Sequence, residues 1–134
     1  MGTCAHAEGE STVASGTSSH AEGSFTIANG NYSHAEGQGS ASTTQTFNNK
    51  TYTGTGAYGI NSHVEGANSW AIGVQSHAEG AGTIALGMQS HAEGTDSMAS
   101  GVGAHAEGMG GTFTLNSVQY TSEAKGVADH VEGY

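Results

Sequence analysis

A 14-residue repeat constrains the fold of this chain more than any other feature of its sequence. Five clean copies follow the pattern His-Ala/Val-Glu-Gly-x-x-Ser/Thr-x-Ala-x-Gly-x-x-Ser/Ala, and all eight histidines begin a His-Ala-Glu-Gly or His-Val-Glu-Gly stretch. This period is too short for two helices and too rich in glycine for one. Each unit is therefore expected to be one coil of a stack in which neighbouring coils bury one another. The copies cover residues 6–19, 20–33, 63–76, 77–90 and 91–104.

Each repeat divides into two alternating segments, Ser-His-Ala-Glu-Gly and Thr-x-Ala-x-Gly, which polar two-residue connections separate. Two short strands per coil predict an all-β fold, a parallel β-roll or β-solenoid whose coils stack roughly 4.8 Å apart. Such a roll is thin, so alternation should point the Ser, Ala, Gly and Thr side chains inward and His and Glu outward. The outer face of the second strand carries an apolar row: Val13, Ile27, Trp70, Ile72, Ile84, Leu86 and Met98.

Two copies of the repeat are longer, by 15 residues after His34 and by 11 residues after His105. Both regain the pattern at Ala-x-Gly, so the two insertions fall in the same connection. Alternating β-forming residues around Asn48-Asn49 and around Asn116-Ser117 predict β-hairpins, within about residues 38–56 and 109–123. We expect residues 1–134 to form a single domain, and the partial repeats at both ends indicate a piece of a longer fibre.

Charge and composition exclude several classes of function. The formal net charge is −10 with only two lysines and no arginine, which excludes a surface that tracks nucleic-acid phosphates and disfavours anionic membranes. No stretch of about 18 apolar residues is present, so no membrane insertion is expected in this segment. Large apolar residues are too few for a conventional core, which favours self-association.

The stretch "SHAEGAGTIALG" (76–87) resembles the head repeats of trimeric autotransporter adhesins, the YadA-like β-roll. The Ser-His-Ala-Glu-Gly variant is similar to repeats in tail-fibre and appendage proteins of phages and prophages. The resemblance implies a left-handed roll, a side-by-side homotrimer and a location outside the cell or on a virion. It also implies a structural and adhesive role, as a rigid spacer within a surface fibre.

In this family the Val and Ile side chains that correspond to His and Glu face the neighbouring subunits. The resemblance therefore implies a trimer-interface ladder, below called the His–Glu ladder. It consists of His6, Glu8, His20, Glu22, His34, Glu36, His63, Glu65, His77, Glu79, His91, Glu93, His105, Glu107, His130 and Glu132. Because this chain places polar residues there, the apolar row of the second strand is the alternative face for the threefold axis.

The His–Glu ladder has three interpretations. The first is construction: stacked His and Glu satisfy one another and lock the register, with no cofactor. The second is a metal-binding assembly module, since three imidazoles around a threefold axis suit Zn²⁺ or Ni²⁺. The third is a pH-responsive module, because histidine titrates near neutrality. We expect no enzymatic activity, because every copy is alike and no nucleophile or pocket is indicated.

The hairpins are the places where the chain departs from its own pattern. Functional contacts often lie on loops above a rigid scaffold, so their aromatic residues are candidates for contact with a cell-surface receptor or a glycan. The alternative is that the hairpins brace a neighbouring subunit. The candidate residues are Phe47, Tyr52, Tyr58, Phe113 and Tyr120.

Overall fold

The computed structural model describes residues 1–110, 112–115 and 118–132, and these contain strands and turns but no helix. Within them, no helical segment meets the length and apolarity that a membrane crossing requires. The first sheet has eight strands: β1 (His6–Glu10), β3 (His20–Ser24), β5 (His34–Gln38), β9 (His63–Ala67), β11 (His77–Ala81), β13 (His91–Thr95), β15 (His105–Glu107) and β19 (His130–Glu132). The second has seven: β2 (Val13–Ala14), β4 (Thr26–Ala28), β8 (Thr55–Ala57), β10 (Trp70–Ala71), β12 (Ile84–Ala85), β14 (Met98–Ala99) and β18 (Glu123–Ala124).

Both large sheets are parallel, and each strand pairs with the equivalent strand of the next coil. Equivalent residues lie side by side, so that His77 pairs with His91 and Glu79 with Glu93. The two insertions leave this register unchanged, since His34 pairs with His63 across the first of them. The predicted parallel β-roll of two-strand coils is therefore confirmed.

The interior of the roll holds small side chains, as the alternation predicts. Its apolar core is a column of fully buried alanines from both sheets, interrupted by one larger residue, Val64. A buried serine precedes five of the histidines and turns its hydroxyl back into the turn; Ser76 Oγ, for example, donates to the Gly73 carbonyl at 2.7 Å. These five serines thereby satisfy their buried hydroxyls locally, as buried polar groups require.

A row of glycines follows the glutamates, and the backbone explains why. These residues have φ between 96° and 118°, a region that side chains disfavour. A Cβ on Gly80 would also overlap the carbonyl oxygen of Gly94 in the next coil. Close stacking of coils thus depends on this row, which consists of Gly9, Gly23, Gly37, Gly66, Gly80, Gly94 and Gly108.

The connection from the second strand to the next coil is not uniformly polar, so that part of the sequence interpretation is wrong. It presents a row of exposed apolar side chains, below called the turn row: Ile60, Val74, Met88, Val102 and Val127. Their exposed fractions run from 40% at Val74 to 81% at Val127. The residue that follows Val74, Gln75, has φ of 58°, and this tight turn keeps the preceding side chain outside the roll.

The first insertion is a hairpin of β6 (Thr44–Phe47) and β7 (Lys50–Thr53), as predicted. Asn48 and Asn49 have φ of 50° and 61°, the two positive values that a type I′ turn requires. The second insertion contains β16 (Thr112–Leu115) and β17 (Val118–Thr121), which pair in antiparallel fashion. Its predicted turn, Asn116-Ser117, lies outside the described residues.

Candidate functional site

The His–Glu ladder runs along the outer face of the first sheet. In most coils a buried alanine separates the histidine from the glutamate. Because side chains alternate along a strand, the histidine and glutamate side chains both point outward. Successive imidazoles stack with ring centroids 4.7–5.1 Å apart and planes within 8° of parallel. The structure thus brings together all eight predicted histidines in one continuous column, beside a parallel column of glutamates.

The carboxylates connect consecutive histidines in a zigzag. Glu93 lies with Oε2 3.9 Å from His91 Nε2 of its own coil and with Oε1 3.5 Å from His105 Nε2 of the next coil. Glu79 spans His77 and His91 in the same way, at 3.7 and 3.9 Å. Within one chain, each of these carboxylates therefore lies close to two successive imidazoles.

Most ladder imidazoles have an Nε2 atom that is removed from solvent and lacks a hydrogen-bond partner within the described residues. The rings themselves are only half-buried, with about 35% of the His91 side chain exposed. Their carboxylate neighbours lie beyond ordinary hydrogen-bond distance. The atoms are His20, His34, His63, His77, His91 and His105 Nε2.

The glutamate column shares protons. Hydrogen bonds to Glu93 and then Glu65 raise the pKa of Glu79 to about 7, because its protonated carboxyl donates to ionised neighbours. Glu36 behaves alike, its pKa raised to about 7 by hydrogen bonds to Glu22 and Glu65. The acceptors show the opposite direction: the hydrogen bond from Glu36, then that from Glu79, lowers the pKa of Glu65. The pKa shifts thus alternate in direction along the column, lowered at Glu22, Glu65 and Glu93 and raised at Glu36 and Glu79.

Three histidines in the column have lowered pKa values. Burial, followed by the charge of neighbouring histidines, lowers the pKa of His34 and His77 below the ordinary 6.5. The pKa of His91 is lowered by burial and then by His105. These lowered pKa values favour the neutral imidazole at His34, His77 and His91, in which one ring nitrogen carries no proton.

The Glu79→Gln variant is expected to match the wild-type chain in stability near pH 5 and to exceed it near pH 8. A raised folded-state pKa contributes stability that is fully present below the unfolded pKa of 4.5 and is lost as pH rises through about 7. Glutamine does not titrate and still donates to both neighbours. Urea denaturation in EDTA across this pH range measures the difference.

The matched control for this comparison is Asp96→Asn, which removes an exposed carboxylate outside the His–Glu ladder. Its stability relative to wild type should not change between pH 5 and pH 8. The lowered pKa values of His34, His77 and His91 have the opposite effect on stability, because their contribution is lost as pH falls below 6.5. These histidines are present in all three proteins, so they do not affect the comparison. A Glu79→Gln difference that is constant with pH would contradict proton sharing.

The serines that precede five of the histidines are not placed as nucleophiles for the imidazoles. Ser76 is 2% exposed, lies inside the roll and donates its hydroxyl to Gly73, whereas His77 lies outside. Acyl transfer of the Ser–His type needs the hydroxyl within hydrogen-bond reach of the imidazole. Ser76 therefore lies on the opposite face of the strand from His77 and is not placed for such a reaction.

The candidate receptor residues of the first hairpin take part in its packing onto the roll. Tyr58 lies against Gly56 and donates its hydroxyl to the Thr53 carbonyl at 3.1 Å. Tyr52, 7% exposed, packs edge-on against Tyr58 with centroids 4.7 Å apart, and Phe47 is half-buried beside it. Lys50 lies 5.2 Å from the Tyr52 ring centroid. The side chains of Phe113 and Tyr120 lie outside the described part of the chain.

Trp70 occupies its predicted place in the apolar row, in register with Ile84, but its indole is only 2% exposed. It lines a cleft together with Asn68 of the roll and with Thr43 at the base of the hairpin. Sequence analysis missed this burial, because the spacing of an insertion does not tell which neighbouring coil it folds against.

Sequence analysis also missed a groove beside the ladder. Glu65, Glu79, Glu93 and the glycines that follow the last two line an open acidic channel, which Glu107 continues. The sequence does indicate this groove, because Glu and Gly occupy adjacent positions of every repeat and equivalent positions of successive coils lie side by side. The channel gives the glutamate column access to solvent along its length.

Comparison with known proteins supports the fold assignment. A family model described as the YadA head domain repeat matches the chain in two copies, over residues 7–33, 65–90 and 92–112. These segments make up more than half of the chain and include most of the His–Glu ladder. No curated protein matches the chain.

Proposed function

The chain belongs to the YadA head domain repeat family, and on that basis we propose that it is a structural and adhesive segment of a homotrimeric surface fibre. The fibre is that of a phage or prophage tail or of a bacterial adhesin, located outside the cell or on a virion. In this role the roll acts as a rigid spacer without catalytic activity.

One observation carries the proposal: the roll keeps its small side chains inside and most of its large apolar ones outside. The core is a column of alanines, whereas Val13, Val74, Met88 and Val102 are each at least 40% exposed. A column of methyl groups buries little apolar area per residue, so a lone roll should be marginally stable. Packing against two further copies of the chain would add the buried area that a lone roll lacks.

We place the His–Glu ladder at the threefold axis. Its support is the flat, continuous column of imidazoles and carboxylates, with many Nε2 atoms removed from solvent but lacking partners. Groups from neighbouring chains would supply those partners. Identical layers at every coil would then define the register, because a partial slip leaves buried polar groups unpaired.

The axis is tested by cysteine cross-linking after the single native cysteine is removed. Chains carrying Cys4→Ser and His77→Cys should sediment as trimers in EDTA and form disulfide-linked dimers on oxidation. The matched control, Cys4→Ser with Ile84→Cys, places the thiol on the outer face of the second sheet and should not cross-link. A monomer in EDTA would contradict the trimer, and the reverse cross-linking pattern would place the apolar row at the axis.

The first hairpin is the proposed adhesive element. Its support is an exposed polar surface above an anchored base: Thr44, Thr46, Asn49 and Lys50 are exposed, while Tyr52 packs inward. Thr46 and Thr51 also pair their hydroxyls across the strands at 3.2 Å. A receptor or glycan would therefore meet threonine hydroxyls, amides and one lysine, with the tyrosines as supports.

A further inference from the structure

The His–Glu ladder contains donor atoms that lack partners but lie close to one another. His91 Nε2 is removed from solvent and makes no hydrogen bond to any residue that the structure describes, and the Glu79 and Glu93 carboxylates both lie 3.9 Å from it. His105 Nε2 lies 3.5 Å from Glu93 and 4.0 Å from Glu107. An orphaned buried polar atom in a native fold calls for a water, an ion or another partner.

These separations suit donors that share one metal ion. Ligands held at about 2.0–2.2 Å around a tetrahedral ion lie about 3.4 Å from one another. In several sets the residues offer one ligand atom each, all within 4.8 Å of one another: His77, Glu79, His91; His91, Glu93, His105; His105, Glu107, His130; Glu8, His20, Glu22; and Glu22, His34, Glu36. Glutamate side chains are flexible and line an open channel here. Small rotations of these side chains would therefore bring their oxygens to the spacing that ligands of one ion have.

The stacking of the rings determines which residues act together. The His91 and His105 rings are parallel to within 2°, with centroids 4.8 Å apart, so their Nε2 lone pairs point in the same direction. Two such nitrogens cannot converge on one ion. Each ion is therefore held by one imidazole and by the carboxylates above and below it, and the remaining position is open to water or another ligand.

The chemistry of the donor set points to a class of ion. Calcium and magnesium take oxygen ligands, whereas a neutral imidazole together with carboxylates suits zinc, nickel and cobalt. A divalent ion would also offset the repulsion of stacked carboxylates in a chain of formal net charge −10. We propose that the His–Glu ladder binds zinc-class divalent ions, each held by one histidine Nε2 and its two flanking glutamates.

Binding is tested on the full chain, stripped with EDTA and dialysed, with ZnCl2 as the probe. Equilibrium dialysis should find more than one zinc bound per chain, and zinc should raise the melting temperature. Equal concentrations of CaCl2 control for screening of charge and should not raise it comparably. No zinc bound, or a calcium effect equal to that of zinc, would overturn the proposal.

Two variants with the same change in charge locate the ions. Glu93→Gln removes a ligand that the His91 and His105 sites share, so the number of bound zinc ions should fall. Asp96→Asn, outside the ladder, should leave it unchanged. His91→Gln, with circular dichroism as a check on folding, should also lower it. An equal loss in Asp96→Asn, or no loss in His91→Gln, would show that zinc sits elsewhere or is held only by net charge.

This inference does not depend on the proposed trimer. Zinc bound by a monomeric chain would support the metal ladder and contradict the homotrimer. A trimer in EDTA that binds no zinc would do the reverse.

Discussion

Replacing Gly80 with alanine is expected to destabilise the roll by about 3 kcal/mol or more. Its φ of +107° lies outside the regions that residues with a Cβ occupy readily. The added Cβ would also overlap the Gly94 carbonyl oxygen, which belongs to the backbone of the adjacent coil and cannot rotate away. Urea denaturation followed by circular dichroism measures the change.

Gly103→Ala is the matched control, because Gly103 also has a positive φ, of 66°, but an open surrounding. The nearest atoms that its Cβ would meet belong to Ala128 and lie 4.0 Å away. The expected cost is about 1 kcal/mol, from backbone conformation alone. Equal losses in the two variants would show that close stacking of the glycine row is not what requires glycine.

Replacing Ala85 with leucine is expected to cost about 3 kcal/mol, near the upper end for overpacked cores. Ala85 is fully buried and lies in register with Ala71 and Ala99, so its neighbours along the column are also fixed. A leucine there must push the two sheets apart across several coils. The loss of stability in urea should be accompanied by a broader transition, because the local separation weakens coupling between neighbouring coils.

The same substitution at the exposed Ala81 provides the control. Ala81 lies at the end of β11, and its methyl group faces solvent. Ala81→Leu should change the stability by less than about 0.5 kcal/mol. An Ala85→Leu variant as stable as Ala81→Leu would mean that the interior of the roll has spare volume.

The roll could be predicted from the sequence because its repeat makes alternation unambiguous. Once Ala78 is assigned to the interior, His77 and Glu79 must lie outside, and the structure has them there. The hairpin turn at Asn48-Asn49 follows from local residue preferences in the same way. The turn row was missed because the connections were described as polar, and the backbone conformation of Gln75 shows why the apolar Val74 side chain points outward.

The candidate site was predictable as a set of residues but not in its electrostatics. A 14-residue period on stacked coils places each histidine over the next, which the sequence alone implies. The directions in which the pKa values of Glu65, Glu79 and Glu93 shift depend on hydrogen bonds between their carboxyls, which only the structure shows. The same holds for the Nε2 atoms without partners, since their exposure depends on side-chain rotamers.

The direction of the backbone hydrogen bonds has a mechanical consequence. Strands run across the roll, and bonds such as His77 N–H to the Ser90 carbonyl, 2.9 Å long, join one coil to the next along the axis. Tension applied to the two ends of a single chain would load only the outermost coil, which would peel away before the next one bears force. A lone roll is therefore mechanically weak whatever its thermodynamic stability. A fibre built from such rolls can bear tension only if neighbouring rolls are attached side by side, because the force is then shared by many coils at once.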